Sequence, residues 1–322
     1  MNDAYVLPFE WPVVEFEARI AQMRAFAEGQ GMDVPEAFEP LDREAAAWRA
    51  RIFGSLSAGE RVQLARHPRR PTARDVIQAL SDDFYELRGD RHAMDDPAIV
   101  GGIGSFGGVP IVWLGHHKGS DAQDRRHCNS GMPHPEGYRK AIRLMRHAAR
   151  FNMPLVSLID TPGAYPGEDA ERHNQGGAIA NAIVEMASLT VPTVSIVIGE
   201  GGSGGALALG VADRMLMLEH AYYSVISPEG CAAILWKSAA KAPFAAQALR
   251  LTAEDCHALG VVDEVIQEPP WGAHRDPAAS AAFIAEALQR HLSWLLALSR
   301  SELLQRRYTK YRTMGSFSEV QE

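Results

Sequence analysis

The sequence predicts an α/β fold of stacked strand–strand–helix units with a helical region ahead of it, and three observations predict it. First, three strands share one form: Val109-Pro110-Ile111-Val112-Trp113-Leu114, Met153-Pro154-Leu155-Val156-Ser157-Leu158-Ile159 and Val191-Pro192-Thr193-Val194-Ser195-Ile196-Val197. Each opens with a proline, which a strand tolerates at its start. Each then turns wholly apolar, as a strand covered on both faces does. Second, they recur at a period of roughly 40 residues, the range of repeated supersecondary units. Third, each ends in a Gly-bearing loop leading toward a helix, with helices expected over 135–151 and 174–189. This pattern favours stacked turns over one open Rossmann sheet.

The remaining elements follow in chain order. Val13, Val14, Phe16, Ile20, Met23 and Phe26 recur at helical spacing over residues 10–28. A Gly/Pro-bearing linker over 29–40 leads to a second helix over 41–53, with Trp48, Ile52 and Phe53 on its apolar face. Such a hairpin is either a docking arm for another subunit or a cap on its own domain. Arg66-His67-Pro68-Arg69-Arg70-Pro71 is a compact basic segment, either a solvated turn or a phosphate contact. A helix is expected over 72–87. Residues 98–106 and 109–115 form a β-hairpin about Gly107-Gly108. Strands over 214–218 and 222–226 precede a helix through Trp236, with Ser227 as N-cap and Pro228 at N1. Helices near 244–249 and 254–259 lead to a strand over 261–266 and a Pro269-Pro270-Trp271-Gly272 loop. The stretch 277–311 is helical, and its Leu288, Leu292, Leu295 and Leu296 read as core or subunit contact. The expected division is an N-terminal helical region over 1–90, for subunit docking, and an α/β domain over 91–322.

Composition narrows the function classes. With 322 residues, 46% of them hydrophobic, the chain suits one large or two small soluble domains. A net charge of −8 disfavours a general nucleic-acid or anionic-membrane binder. No run is long enough to span a bilayer, and the first residues, Met1 to Pro8, lack the pattern of a secretion signal. Cys128, Cys231 and Cys256 are scattered and form no C-x-x-C pair, which argues for a reducing compartment and against a zinc ribbon in this chain. A cytoplasmic location is expected.

The chemistry centres on Thr193-Val194-Ser195-Ile196-Val197-Ile198-Gly199-Glu200-Gly201-Gly202-Ser203-Gly204-Gly205-Ala206-Leu207, a β-branched run ending in a glycine-dense turn. Residues without a Cβ let backbone N–H groups approach a ligand closely, and the first N–H groups of a helix have no internal acceptor. Gly199-x-Gly201-x-x-Gly204 fits a dinucleotide fingerprint, with Glu219 near the expected acidic position. Gly204-Gly205 at a helix start fits an oxyanion hole, and a tight turn without chemistry fits as well. The loop Asp160-Thr161-Pro162-Gly163-Ala164-Tyr165-Pro166-Gly167 ends the preceding apolar strand. Stacked units set such loops side by side, so an N–H of Gly163 or Ala164 can converge with one of Gly204 or Gly205. No serine has an assignable His and Asp. His116-His117-Lys118-Gly119 suggests a metal, a base or substrate contacts, but no second ligand cluster stands at metal spacing. No metal is expected in this chain. A site of backbone donors without its own base suits a reaction whose substrate or cofactor supplies the base.

The chain resembles the α subunits of bacterial acetyl-CoA carboxylase carboxyltransferases over nearly its whole length. The resemblance is carried by Leu64 through Pro71, Ile99-Val100-Gly101-Gly102-Ile103, Gly131 through Ala141, Ile159 through Gly167, Ile198 through Gly210, Tyr223 through Ala232, Ile234 through Ala239 and Gly272-Ala273-His274-Arg275. It implies a ClpP/crotonase-like superhelix and an α2β2 assembly with a β subunit that carries a zinc ribbon and most of the acyl-CoA pocket. It further implies biotin on a separate carrier protein, charged by a biotin carboxylase. The reaction implied moves a carboxyl group from carboxybiotin to acetyl-CoA, giving malonyl-CoA for fatty-acid synthesis, with the biotin ureido nitrogen as base. It assigns Gly204 and Gly205 to the biotin oxygen. Gly163 and Ala164 are expected as second donors, and Gly202, Ser203, Tyr165 and Pro166 as contacts of the cofactor.

Two segments depart from the family pattern. A strongly basic loop containing Arg-Arg-Asn-Phe becomes Ser120-Asp121-Ala122-Gln123-Asp124-Arg125-Arg126-His127-Cys128-Asn129-Ser130, with the Arg pair displaced and less positive charge. A Glu-Arg-Gly-Gln pattern becomes Glu171-Arg172-His173-Asn174-Gln175-Gly176. Both flank the expected site. They leave open a specialised paralogue with another acyl acceptor. A biotin-independent crotonase-type decarboxylase or hydratase and a non-catalytic scaffold for a β subunit are the other readings.

Overall fold

A computed structural model of the chain describes residues 5–32 and 34–315. Two helices, α1 (Trp11–Gly29) and α2 (Pro35–Gly54), form the hairpin at the start, followed by α3 (Ala58–Ala65) and α4 (Ala73–Leu80). Strands β1 (Tyr85–Glu86), β2 (Ile99–Phe106) and β3 (Val109–His116) come next, then α5 (Ala122–His127), α6 (Pro135–Phe151), β4 (Leu155–Thr161), α7 (Glu168–Arg172) and α8 (Gln175–Ser188). The glycine-rich strand β5 (Thr193–Gly202) runs directly into α9 (Ser203–Leu207). Beyond it lie β6 (Arg214–Leu218), β7 (Tyr222–Ser224), α10 (Pro228–Trp236), α11 (Ala242–Leu249), α12 (Ala253–Ala258), β8 (Glu264–Ile266), α13 (Pro277–Leu296) and α14 (Arg300–Arg312).

The strands make one sheet in the order β1-β2-β3-β4-β5-β6-β8, with β7 also on β5. The β2–β3 hairpin is antiparallel, and its turn holds Gly107 and Gly108 at φ 56° and 77°, values that favour glycine. From β3 onward every pairing is parallel. The long strand β5 changes partner along its length. Val194–Val197 pair with β6, whereas Glu200–Gly202 pair with β7. This switch makes the chain wind rather than continue as one flat open sheet, and it sets the glycine turn at the crossing. Every residue of β4 and β5 is buried, as their apolar sequences require.

Ser157 and Ser195 interrupt the two apolar strands side by side. Their hydroxyls lie 2.7 Å apart, and each is within 2.8 Å of the Leu209 carbonyl oxygen, which follows α9. Replacing Ser195 by Ala is expected to lower stability by about 1 kcal/mol, the net value of one buried hydrogen bond. A denaturant midpoint equal to that of wild type would show that the hydroxyl pair contributes nothing.

Several boundaries differ from those expected. Helix α2 begins at Pro35, not 41, because Pro35 occupies the N1 position where no N–H is needed. Pro40 then sits inside the helix close to its start. The stretch expected as one helix over 72–87 is α4 followed by an edge strand, β1, which pairs Tyr85 and Glu86 with Ile103 and Gly102. Strand β7 ends at Ser224, where Ser224 turns back to bond Ile226. The C-terminal stretch is two helices, broken by the Ser299 capping box of α14. Leu288, Leu292 and Leu295 are core residues, but Leu296 is exposed. The main core also takes Val62, Ala65, Ala73, Val76 and Ile77 from α3 and α4, so this part of the 1–90 region packs with the sheet. The hairpin α1–α2 keeps Met23 and Phe26 exposed. No described helix is long and apolar enough to cross a membrane.

Candidate active site

The loops that follow β4 and β5 meet. A register irregularity between Ile159 and Thr161 turns the Asp160 carboxylate toward β5, where Oδ1 accepts from the Glu200 N–H at 2.9 Å. The absent side chains of the glycine turn are what let the loops close. A Cβ on Gly202 would stand 2.2 Å from the Pro162 carbonyl oxygen, and one on Gly205 would stand 2.7 Å from the Ala164 nitrogen and 2.8 Å from the Gly163 carbonyl carbon. A Cβ on Gly199 would meet Asp160 Oδ1 at 2.5 Å. Of the three glycines that fit a dinucleotide, Gly199 is thus faced by the Asp160 carboxylate and Gly201 by the Tyr223 ring, where a Cβ would stand 2.4 Å from Cδ2. The protein's own side chains take the space a pyrophosphate would need; Gly204 alone keeps open space, with Ile179 at 3.5 Å.

The predicted donors fall into two groups. Gly163 lies in a turn closed by Thr161, whose Oγ1 accepts from the Gly163 N–H at 3.0 Å and donates to the Gly163 carbonyl at 2.8 Å. Tyr165 donates its own N–H to the Pro133 carbonyl at 3.0 Å, and its ring lies on His134 with centroids 4.3 Å apart. The Ala164 amide, facing Gly205, has no acceptor among the described residues. The same holds for the N–H groups of Gly204 and Gly205, in the first turn of α9. With five residues, α9 is short, so these amides act through their own N–H bonds more than through a helix dipole. Ser203 is exposed and holds φ 54°, an uncommon value for a residue with a side chain. It turns the chain sharply from β5 into α9, so that α9 starts at the surface with Gly204 half-buried. Pro166, in the loop after β4, is exposed, and Gly202 is buried at the N-cap of α9.

Behind the two loops lies a charge network that sequence reading missed. Lys118 Nζ reaches Asp160 Oδ1 at 2.7 Å and Glu200 Oε2 at 2.5 Å, joining one carboxylate from each loop. Arg66 Nε reaches Glu200 Oε1 at 2.6 Å and its Nη1 reaches Glu229 at 2.7 Å, while the Tyr222 hydroxyl donates to Glu200 Oε1 at 2.7 Å. Burial alone would raise the Glu200 carboxyl, but Lys118 and Arg66 hold it down at about 2. Burial likewise opposes the charge on Lys118, and the two carboxylates raise its pKa above the ordinary lysine range. Arg70 is neutralised by Glu268 in a fully buried pair. The basic segment is therefore neither a solvated turn nor a phosphate contact at Arg66 and Arg70. It latches α3 to the ends of β5, β7 and β8. The visible signal was Glu200, a lone acid inside a glycine run. A cavity of about 230 Å³ lies among Arg66, Lys118, Arg125, Asp160, Pro162 and Glu200.

His116 is fully buried, and burial pushes its imidazole down to about 3, against a smaller opposing pull from the Gly205 backbone. It is a neutral ring under α9. Two groups of metal-ligating residues bring three donor atoms within 4.8 Å of one another: Glu10, His67 and His274, and His117, Asp124 and Cys128. In the first, Glu10 accepts from His274 Nε2 at 3.0 Å and from the Leu7 N–H at 2.8 Å, with Arg275 also in reach at 3.4 Å. It moors the start of α1 to the loop before α13.

The sequence over residues 6–315 matches the family described as acetyl co-enzyme A carboxylase carboxyltransferase-like. Curated relatives named acetyl-coenzyme A carboxylase carboxyl transferase subunit alpha include those of Acaryochloris marina, 51% identical over 98% of this chain and 97% of its own length, and Synechococcus elongatus, 52% identical over 98% and 96%. Among solved structures, a transcarboxylase 12S with methylmalonyl-coenzyme A bound aligns with a TM-score of 0.57 at 24% identity, covering 71% of this chain and 42% of the other. The geranyl-CoA carboxylase β subunit of P. aeruginosa gives 0.54 at 17% identity over 78% and 45%. A Pseudomonas malonate decarboxylase hetero-tetramer with coenzyme A gives 0.58 at 17% over 74% and 92%. These structures share the crotonase-like fold with the chain, as the family resemblance implied. The length and identity of the sequence matches go further, and the chain belongs to the acetyl-CoA carboxylase carboxyltransferase family as an α subunit.

Proposed function

We propose that this chain supplies the biotin-side half of a carboxyltransferase that moves a carboxyl group from carboxybiotin, held on a carrier protein, to acetyl-CoA. The observation that carries the reading is the convergence of two loops whose Ala164, Gly204 and Gly205 amides have no acceptor among the described residues. Such donors fit the ureido oxygen of biotin, an acceptor that gains negative charge when the carboxyl group leaves. When bound, the cofactor supplies the carboxyl group and the ring nitrogen that acts as base. The chain's own part is to aim the amides of Gly204 and Gly205 at that oxygen, with Ala164 alongside. Lys118 holds the two loops in register through Asp160 and Glu200. Gly202 and Ser203 set the sharp entry into α9, while the Tyr165 ring and Pro166 border the opening.

The site opens at the surface, so a second subunit must cover it to exclude water. The relatives' identity as α subunits supports a β subunit in that place, carrying the zinc ribbon and the acyl-CoA pocket. Val225, Ile234, Leu235 and Phe244, exposed on and beside α10 and α11 just past β7, offer it an apolar surface. The test is co-expression with candidate β subunits, supplied with biotin carrier, biotin carboxylase, ATP and labelled bicarbonate. Label is expected in malonyl-CoA, and its formation should be blocked by avidin. If no pairing places label in any acyl thioester, the carboxyl-transfer reading is wrong. Turnover by this chain alone, insensitive to avidin, would support the biotin-independent alternative.

A further inference from the structure

His117, set aside from the sequence for want of a second ligand cluster, has one in the fold. After β3 the chain makes a loop and the short helix α5, and this brings Asp124 and Cys128 back to the His117 ring. His117 Nε2 lies 3.3 Å from Asp124 Oδ2, and Cys128 Sγ lies 3.5 Å from Asp124 Oδ1. His117 is 4% exposed and its Nδ1 has no partner among the described residues, while Cys128 is 1% exposed. The Asp124 side chain retains 32% of its exposure and gives the group an entry path from solvent.

We propose that His117, Asp124 and Cys128 form a site for a thiophilic divalent cation, with zinc the ion that a nitrogen, oxygen and sulfur donor set fits best. The three donor atoms already lie within 4.8 Å of one another, so small rotations close them around one ion, with water in the fourth position. The surrounding charge favours a cation. Asp75 and Asp96 act on the group besides Asp124, against the single guanidinium of Arg74, which is itself paired with Glu86. The bound ion takes the place of the thiol proton, and one proton passes to the buffer for each ion bound. The site would staple the loop that carries Lys118 and Arg125 to the cavity beside the glycine turns. The three ligands lie outside the glycine turns, so the site does not rest on the carboxyl-transfer reading.

The test uses the full chain alone, reduced and stripped by chelation, titrated with Zn2+ and with Co2+ as a spectroscopic probe. One ion per chain is expected, with a thiolate-to-cobalt charge-transfer band and tetrahedral d–d bands. Cys128→Ser should remove the charge-transfer band, and His117→Gln should weaken Zn2+ binding at least about tenfold. Zn2+ should raise the melting temperature of the wild type and not of Cys128→Ser. If Cys128→Ser does not fold, His117→Gln and Asp124→Asn decide through the same titration. A wild type that shows no thiolate band, or a band that survives in folded Cys128→Ser, overturns the proposal. The Glu10, His67 and His274 group has no thiol and cannot give that band.

Discussion

Gly205→Ala is expected to cut carboxyl transfer by the assembled complex about 10²- to 10³-fold, the loss typical of a disabled oxyanion donor. The reason is backbone against backbone. The added methyl would stand 2.7 Å from the Ala164 nitrogen and 2.8 Å from the Gly163 carbonyl carbon, neither of which can swing aside as a side-chain end can. To fit, the loop after β4 and the start of α9 must separate, and the amides proposed to share the biotin oxygen then move apart. Gly176→Ala is the control, since a Cβ there meets nothing within 4 Å. It keeps full turnover and, inside α8, gains up to about 1 kcal/mol of helix stability. The measurement is label incorporation into malonyl-CoA at saturating substrate, with gel filtration to show that the β subunit still assembles. A Gly205→Ala complex with wild-type turnover would remove the amides of α9 from the chemistry and leave the scaffold reading in its place.

The contrast between what was legible in the sequence and what was not has a physical basis. The Pro-led apolar strands announced themselves because burial on both faces leaves no other pattern for a central strand. The glycine turn was legible as a place of close approach, since only glycine permits it, but the sequence does not say what approaches. Asp160, Pro162 and Gly163 fill the space before Gly199, Gly202 and Gly205, and these pairs lie about forty positions apart along the chain. The Lys118–Asp160–Glu200 network was hidden for the same reason. Glu200 stood out as an acid inside a glycine run, but its partners Lys118 and Asp160 lie far along the chain, and only the parallel stacking of β3, β4 and β5 brings the three together. Helix starts were easy where a cap and N1 proline coincide, as at Ser227-Pro228. They were missed at α2, where Pro35 and Pro40 after Gly29 and Gly31 read as a linker.

Lys118→Met should be the most damaging single change for stability near the site, by about 3–5 kcal/mol, because it strands the buried Asp160 carboxylate, whose cation among the described residues is Lys118, and leaves the buried Glu200 with Arg66 alone. Its pH dependence separates this cause from simple loss of packing. In the wild type, the Glu200 pKa is lowered to about 2 from its ordinary 4.5, with burial opposed by Lys118 and then by Arg66. A lowered carboxyl pKa contributes stability that is full above about 4.5 and is lost as pH falls toward 2. Without Lys118, burial is opposed by less positive charge, and the Glu200 carboxyl rises. Protonation then relieves the folded variant while it removes a favourable interaction from the wild type. The stability deficit of Lys118→Met, read from denaturant unfolding, should therefore be largest at pH 7 to 8 and shrink on acidification. Lys118→Met combined with Asp160→Asn should recover part of the loss, because the amide oxygen can still accept from the Glu200 N–H while one stranded charge is gone. A deficit that stays constant with pH, or a double variant whose losses simply add, would show that the lysine contributes packing alone and that the two loops are set by their glycines without it.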